Sequence, residues 1–348
     1  MSSKRIFLHI GTHKTATTTI QKGCVENSTA LRNAGWLYPA TGMFMVGQHN
    51  IAWEMASRHE QPWNYINYWV RFRPEWGGVD ALKEEIDASS AENVILSSED
   101  FDGLRTERIQ LLAEKLSSYT VEVIVYLREQ TSLLQSAWAQ FIKSGFITID
   151  FAGFLDDMLA ASSEKQRYFG AYDLFLQPWM AAFGSEHVHP KQFSRDVFQG
   201  NVFHDFLLEC KVPDVERYTI PENQNISPGL KCLELIRILG SKVETMEQRY
   251  RLSRVVQYYI DEIGCSEGKL NLIDRDIHDR VHAHFDKANQ WVGDHFFDGE
   301  SLFRDSFNEK PLSIFDKNGM IGEDWERLSV SVVGSLLNNT SGLPKERS

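Results

Sequence analysis

The sequence predicts an α/β fold with a parallel central sheet flanked by helices and a largely helical C-terminal part. Two observations support this prediction. Short apolar segments alternate along the first 200 residues with longer segments of helical periodicity. From about residue 228 onward the helical pattern continues without a further strand segment. Strands that alternate with helices are typical of a parallel sheet, because each crossover returns the chain to the same edge and covers a face.

The predicted elements follow one another in a regular order. Strands are expected at residues 5–10, 36–39, 93–98, 121–127 and about 187–193. Helices are expected at residues 17–33, 79–90, 105–118, 131–144, 171–183, 200–209, 229–239, 243–262 and 272–296. We assign residues 1–310 to one α/β domain that includes the C-terminal helices. Residues 311–348 are assigned to a C-terminal tail that is partly disordered.

The loop after the first predicted strand is suited to an anion. It carries small and hydroxyl side chains around one lysine, and helical periodicity begins at Thr17. A strand, a loop and a helix in this order direct backbone N–H groups and a positive helix end at one point, which favours a phosphate or sulfate group. An ordinary strand-to-helix turn with a surface lysine is the alternative. The candidate binding residues are Gly11, Thr12, His13, Lys14, Thr15, Ala16, Thr17 and Thr18.

A second pair of candidate residues follows the fourth predicted strand. Arg128 ends this strand, and open α/β sheets bind ligands at the carboxyl ends of their strands. Ser136 lies eight residues further on, in the helix that follows. A guanidinium gives phosphate a planar, bidentate contact and a hydroxyl donates one more hydrogen bond. A strand-end salt bridge and a solvated helix serine are the alternatives.

Together the two motifs resemble those of sulfotransferases that use 3′-phosphoadenosine 5′-phosphosulfate (PAPS). The 5′-phosphosulfate loop of that family reads lysine, small residue, glycine, threonine, threonine. Residues 14–18 match this order except that Ala16 replaces the glycine, which leaves the backbone less freedom. The family also carries a strand-end arginine and a helix serine at the spacing of Arg128 and Ser136. The resemblance is to the bacterial branch, covers most of residues 4–300 and implies a P-loop-like fold.

The resemblance implies transfer of a sulfuryl group from PAPS to a hydroxyl or amine, with no metal required. It implies that Lys14 meets the charge on the leaving phosphate oxygen. The loop amides with Thr17 and Thr18 would bind the 5′-phosphate. Arg128 and Ser136 would bind the 3′-phosphate.

Two residues compete for the role of the base that takes the acceptor proton. Glu99 ends the third predicted strand on the ligand side of the sheet, and is the preferred candidate. His49 is the competitor, since histidine needs little tuning to act near neutral pH. A helix cap or salt bridge is the alternative for Glu99, and a loop histidine with satisfied hydrogen bonds is the alternative for His49. His13 is a third candidate for the base, but the preferred interpretation is that it only shapes the loop or contacts the ligand.

Composition and charge limit the partners. The net charge of −12 and the pI near 5.4 argue against nucleic acid and anionic membranes as partners. The four cysteines show no metal-binding spacing, so reduced thiols in a cytoplasmic protein are expected. No apolar stretch has the length of a membrane span.

The acceptor class is left open among a small molecule, a lipid, a carbohydrate and a peptide tyrosine. Aromatic residues between positions 43 and 78 either stack on an acceptor or pack on the sheet. These aromatic residues are Trp53, Trp63, Tyr65, Tyr68, Trp69, Phe72 and Trp76.

Two other functions compete with sulfuryl transfer. A P-loop kinase that uses ATP-Mg²⁺ on a small molecule is the first, although the G-K-[ST] order is missing and ATP needs no partner for a 3′-phosphate. A non-catalytic nucleotide-binding scaffold is the second. The oligomeric state is left open by the sequence.

Overall fold

The computed structural model describes most of the chain. The described residues are 3–56, 72–161, 169–194, 198, 201–222, 228–258, 270–303, 307 and 310–314. The strands are β1 (Arg5–His9), β2 (Trp36–Leu37), β3 (Asn93–Ser97), β4 (Thr120–Leu127) and β5 (Val188–Gln192). The first eight helices are α1 (Thr17–Glu26), α2 (Ser28–Asn33), α3 (His49–Met55), α4 (Val79–Ala88), α5 (Thr106–Lys115), α6 (Gln130–Lys143), α7 (Phe151–Leu159) and α8 (Tyr172–Phe183). They are followed by α9 (Val202–Glu209), α10 (Leu230–Gly240), α11 (Met246–Tyr258) and α12 (Arg275–Phe296).

The five strands form one parallel sheet in the order β2-β3-β1-β4-β5. This confirms the predicted α/β fold with a parallel central sheet flanked by helices. In the register of the sheet, His9 at the end of β1 pairs with Ser97 of β3 and with Ile124 of β4. The chain segments that leave β1 and β3 therefore begin side by side, and β4 runs on for three residues beyond its pairing with His9.

One face of the sheet is covered by α1 and α9. Phe7, Ile95 and Ile124 are buried on this face. The two helices cover them with apolar side chains, namely Ile20, Cys24, Phe203, Phe206 and Leu207. Burying these groups is the main stabilising contribution that α1 receives, and it fixes the start of α1 relative to β1.

The chain divides into two compact units by its internal contacts. The first unit comprises residues 1–130, 161–223 and 284–304, and contains the whole sheet. The second unit comprises residues 131–160, 224–283 and 305–348. In the first unit, Gln130 Nε2 donates to Asn289 Oδ1 at 2.7 Å, so the end of α12 contributes to this unit. The assignment of residues 1–310 to a single domain stays a prediction, and residues 315–348 of the predicted tail lie outside the described residues.

The helix predicted at residues 17–33 is two helices. The break occurs at Asn27, whose side-chain amide donates to the carbonyl oxygens of Gly23 and Thr219. The Asn27 Oδ1 atom also accepts a hydrogen bond from the backbone N–H of Thr219 at 2.9 Å. An asparagine side chain that bonds to the backbone in this way offers an alternative to the helical ladder, which explains the break.

Helices α3 and α7 were not among the predicted elements. In α3 every residue except Glu54 is buried, so the segment has no distinct polar and apolar faces. In α7 a signal was present. Asp150 caps the helix by accepting a hydrogen bond from Gly153 N at 2.9 Å, and Phe151, Phe154 and Leu155 are buried at helical spacing.

The described residues include three of the four cysteines and the helices that can be compared with a membrane span. Cys24, Cys210 and Cys232 are free thiols in buried positions, and burial raises the pKa of the Cys24 thiol. Cys265 lies outside the described residues. Among the described helices, none has the length and hydropathy needed to cross a bilayer.

The packing of α1 on α9 gives a stability prediction at Gly23. A Cβ atom on Gly23 would lie 2.5 Å from Cδ2 of Phe203. We therefore expect Gly23→Ala to lower the free energy of unfolding by about 1–3 kcal/mol through overpacking, although alanine is the better helix former. Urea denaturation measures the difference. Gly153→Ala in α7 is the control, because the nearest atom there is the Asp150 side-chain oxygen at 3.2 Å. Equal losses in both variants would contradict the overpacking explanation.

Candidate functional site

The loop between β1 and α1 (residues 10–16, the β1–α1 loop) is tied to β4 by backbone hydrogen bonds. Ile10 N donates to Ile124 O at 3.1 Å, and Tyr126 N donates to Gly11 O at 2.8 Å. Thr12 donates twice to Tyr126 O, from its backbone N–H and from its Oγ1. The first half of the loop thus continues the pairing of β1, and the loop departs from the sheet only after Thr12.

Both halves of the loop contain residues with positive φ angles. The φ angle is 98° at Gly11 in the first half, and 69° at Lys14 and 59° at Ala16 in the second half. Ala16 immediately precedes α1 with φ 59° and ψ 31°, a conformation that glycine adopts without strain and alanine does not. Position 16 is therefore one at which the loop adopts a left-handed conformation. The motif that this loop resembles has glycine at this position, and this chain has alanine.

The start of α1 presents its backbone donors without a side-chain cap. Ala16 has no polar side chain to cap the helix, although its carbonyl oxygen accepts hydrogen bonds from the backbone N–H groups of Thr19 and Ile20. Thr17 and Thr18 occupy the first two helical positions, Thr17 buried and Thr18 exposed. Thr15 is fully buried and its Oγ1 donates to Thr12 O at 2.6 Å, so this hydroxyl shapes the loop. The positive end of the helix and its amides form a site suited to an anion.

Arg128 lies against the loop. It follows the last residue of β4, and its Nη1 donates to the carbonyl oxygen of Lys14 at 2.8 Å. Burial lowers the pKa of the guanidinium, which nevertheless remains charged. The sequence-predicted strand-end arginine and loop lysine are therefore brought together by a direct contact.

On the other side of the loop, Asp102 binds His13. The Asp102 Oδ2 atom accepts hydrogen bonds from the His13 backbone N–H and from its Nδ1, both at 2.8 Å. Burial by itself lowers the pKa of His13, but the charge of Asp102 and the hydrogen bond to it raise the pKa to about 10. His13 is therefore an imidazolium at neutral pH, with its charge paired to Asp102.

Glu99 stands directly beside the start of the loop. A Cβ atom on Gly11 would lie 3.2 Å from the Cα atom of Glu99, so glycine permits the close approach of the two chain segments. The Glu99 Oε2 atom accepts a hydrogen bond from Gln21 Nε2 at 2.7 Å. Gln21 is a buried residue of α1, so this contact joins the end of β3 to the helix that follows the loop.

His49 belongs to a hydrogen-bonded group that also includes Asp100. His49 Nδ1 lies 2.9 Å from Ser98 Oγ and 3.1 Å from Asp100 Oδ2. The same Asp100 oxygen accepts from Trp53 Nε1 at 2.7 Å. Burial lowers the pKa of His49, but the hydrogen bond to Asp100 and the charges of Glu99 and Asp100 outweigh it, so its pKa is raised. His49 is the first residue of α3.

Aromatic rings cluster around His49. Phe44 stacks on Trp76 with ring centroids 5.2 Å apart and lies 5.3 Å from the ring of Trp53. The imidazole of His49 stacks on Trp53 at 6.0 Å, and the Arg73 guanidinium carbon lies 4.8 Å from the Trp76 centroid. Trp53 and Trp76 were among the aromatic residues predicted to bind an acceptor or pack on the sheet. Four others, Trp63, Tyr65, Tyr68 and Trp69, lie outside the described residues.

Ser136 lies on α6, in the second unit. Its position relative to the loop stays a prediction.

Some residues of the site carried no assigned role in the sequence analysis. Asp100 and Asp102 follow β3 in an acidic segment, which was itself a signal. Gln21 gave no local signal, nor did Tyr172, whose hydroxyl accepts a hydrogen bond from the Arg128 backbone N–H at 3.1 Å. His9 is fully buried and its Nδ1 lies 2.8 Å from Ser97 Oγ; burial lowers its pKa to about 4, so it is neutral.

Comparisons with known proteins give weak similarities. No family model matches the chain. An uncharacterized protein from Archaeoglobus fulgidus is 27% identical over 222 residues, which is 62% of this chain and 54% of that protein. The chain thus spans about half the length of this curated relative. A crystal structure of a sulfotransferase from Alicyclobacillus acidocaldarius aligns with a TM-score of 0.47 and 13% identity, over 84% of this chain and 96% of that one. Because these similarities are low, the function is inferred from the geometry of the site.

Proposed function

We propose that the protein is a sulfotransferase that moves a sulfuryl group from PAPS to a hydroxyl or amine of an acceptor. One observation carries the proposal. The β1–α1 loop and Arg128, predicted separately as the sites for the 5′- and 3′-phosphates, are joined by the 2.8 Å hydrogen bond from Arg128 to the Lys14 carbonyl. A ligand with phosphate groups at the 3′ and 5′ positions of one ribose fits two anion sites that lie close together.

The residues present fit this cosubstrate. The amides of Thr17 and Thr18 at the start of α1 and their hydroxyl groups suit the 5′-phosphate, and the guanidinium of Arg128 suits the 3′-phosphate. PAPS when bound supplies an activated sulfuryl group and a bisphosphate leaving group. Lys14 would offset the negative charge that develops on that leaving group.

The acceptor proton needs a base, and we assign it to Glu99. The Cα and Cβ atoms of Glu99 lie beside Gly11, and its carboxylate is oriented by the hydrogen bond from Gln21. His49 is less suited to this role, because the lowering of its pKa by burial is outweighed by Asp100 and Glu99, and the raised pKa favours the protonated imidazole, which cannot accept a proton.

A kinase that uses ATP-Mg²⁺ is the second candidate. Such an enzyme places a carboxylate at the end of the strand next to the phosphate loop in order to hold the metal. Here the carboxylates that follow β3 have protein partners instead. Asp100 accepts from Trp53 and contacts His49, and Asp102 accepts from His13. These contacts favour sulfuryl transfer over phosphoryl transfer.

A nucleotide-binding scaffold without activity is the third candidate, and the activity of the Glu99 variant described below separates it from an enzyme. The proposal also keeps a cytoplasmic location and an acceptor that is a small molecule, a lipid or a carbohydrate. The aromatic cluster of Phe44, Trp53 and Trp76 beside His49 supports an acceptor with a flat, apolar surface.

The choice of cosubstrate is tested by thermal unfolding. We expect adenosine 3′,5′-bisphosphate to raise the melting temperature far more than ATP-Mg²⁺ at equal concentration. A ligand that binds only the folded state at 100 times its Kd stabilises it by about 2.7 kcal/mol. Adenosine 5′-phosphate is the matched control and should give a smaller shift, since it lacks the group that Arg128 would bind. A larger shift with ATP-Mg²⁺ would favour the kinase.

The assignment of the base is tested by Glu99→Gln. The glutamine keeps an oxygen that accepts the hydrogen bond from Gln21 but cannot take a proton. We expect turnover to fall by about 10² to 10⁴, with cosubstrate affinity nearly unchanged. Glu107→Gln, at an exposed position of α5, is the control and should leave turnover unchanged.

The pH dependence separates Glu99 from His49. A histidine base must be neutral, so its raised pKa would make turnover fall as the pH drops through a value above the usual histidine range. With Glu99 as the base we expect no fall that follows the titration of His49, and we expect His49→Ala to retain turnover. Turnover that falls with the titration of His49, together with loss of activity in His49→Ala and not in Glu99→Gln, would assign the base to histidine.

A further inference from the structure

Arg128 contacts the main chain of the residue that carries the proposed leaving-group cation. Its Nη1 donates to the Lys14 carbonyl at 2.8 Å across 114 residues of sequence, so the contact is a tertiary constraint on the loop. A hydrogen bond from a charged donor is roughly twice as strong as one between neutral groups.

The backbone at Lys14 is one that requires outside support. Its φ of 69° lies in the left-handed region, which is strained for an L-residue other than glycine. Ala16, two residues later, has φ 59°. Strained conformations of this kind persist only where the surrounding contacts hold them.

The position of Arg128 is itself fixed by contacts of its backbone and its side chain. Its backbone N–H donates to the Tyr172 hydroxyl at 3.1 Å, and that hydroxyl donates to the Arg128 carbonyl at 2.6 Å. Tyr172 is buried in α8. The guanidinium carbon of Arg128 lies 5.8 Å from the ring centroid of Phe193. Both the backbone and the side chain of the arginine are therefore located by the core of the first unit.

We propose that Arg128 is a positioning residue for Lys14. By holding the Lys14 carbonyl, it keeps the lysine in the left-handed conformation that directs its side chain to the 5′-phosphate end of the ligand. An anion bound by the same guanidinium is then coupled to the placement of the lysine. The identity of the ligand rests on the proposed function, whereas the effect of Arg128 on the loop does not.

Hydrogen–deuterium exchange of the ligand-free full chain tests the effect on the loop. We expect Arg128→Ala to speed exchange in the peptide covering residues 10–19 about tenfold, because a contact that opposes local opening is lost. Arg128→Lys keeps the positive charge but loses the planar guanidinium, so it should speed exchange by a smaller factor. This variant tests the effect on the loop if Arg128→Ala fails to fold. Arg237→Gln is the control, since Arg237 donates to the Thr148 carbonyl within the second unit. An unchanged rate in the loop would overturn the proposal.

Binding of adenosine 5′-phosphate tests the coupling to the lysine side chain. This ligand has no 3′-phosphate, so a direct contact of Arg128 with that group is not measured. We expect Arg128→Ala to weaken binding about tenfold when Lys14 is present and by less than about twofold in the Lys14→Ala background. Additive losses would overturn the proposal. If the wild-type protein binds no adenosine phosphate, the proposed function is wrong and the exchange experiment alone decides the role of Arg128.

Discussion

The candidate site depends on how the main chain of the β1–α1 loop is held between its two neighbouring strands. β1 lies between β3 and β4 in the sheet, so residues that follow each neighbour reach the loop. From the β3 side, Asp102 accepts a hydrogen bond from His13 N–H, and from the β4 side Arg128 donates one to the Lys14 carbonyl. An acidic side chain thus binds the backbone donor of one residue and a basic side chain binds the backbone acceptor of the residue that follows it. The shape of the loop therefore depends on the order of the strands.

The same arrangement explains how an acidic protein can offer an anion site. The net charge is −12, and three carboxylates, those of Glu99, Asp100 and Asp102, lie close to the loop. Each of them accepts a hydrogen bond from a protein donor, respectively an amide, an indole and an imidazole. The charge of His13 is offset by Asp102. In the proposed function, the groups that would attract an anion are Lys14, Arg128 and the N-terminal end of α1, which act over a short range.

Sequence reasoning located the strands and the strand-end residues, because apolar segments and the residues that follow them are local signals. Arg128 and the loop belong to this class, and their contact follows from the order of the strands. The partners that orient them do not. Tyr172 binds Arg128 from 44 residues away and Asp102 binds His13 from 89 residues away, and neither pairing leaves a periodic pattern. Helix α3 was missed because nearly all of its residues are buried, which removes the amphipathic signal on which a helix prediction depends.

The path of the chain through the first unit has a consequence for its synthesis. The unit that carries the sheet and the loop is completed by residues 284–304, where Asn289 binds Gln130 and the Leu302 carbonyl accepts a hydrogen bond from Gln192. All the strands have left the ribosome long before these residues are translated. The first unit therefore cannot complete its packing until the C-terminal part of α12 has been synthesised. A nascent chain that ends before this part exposes the surface that α12 would cover.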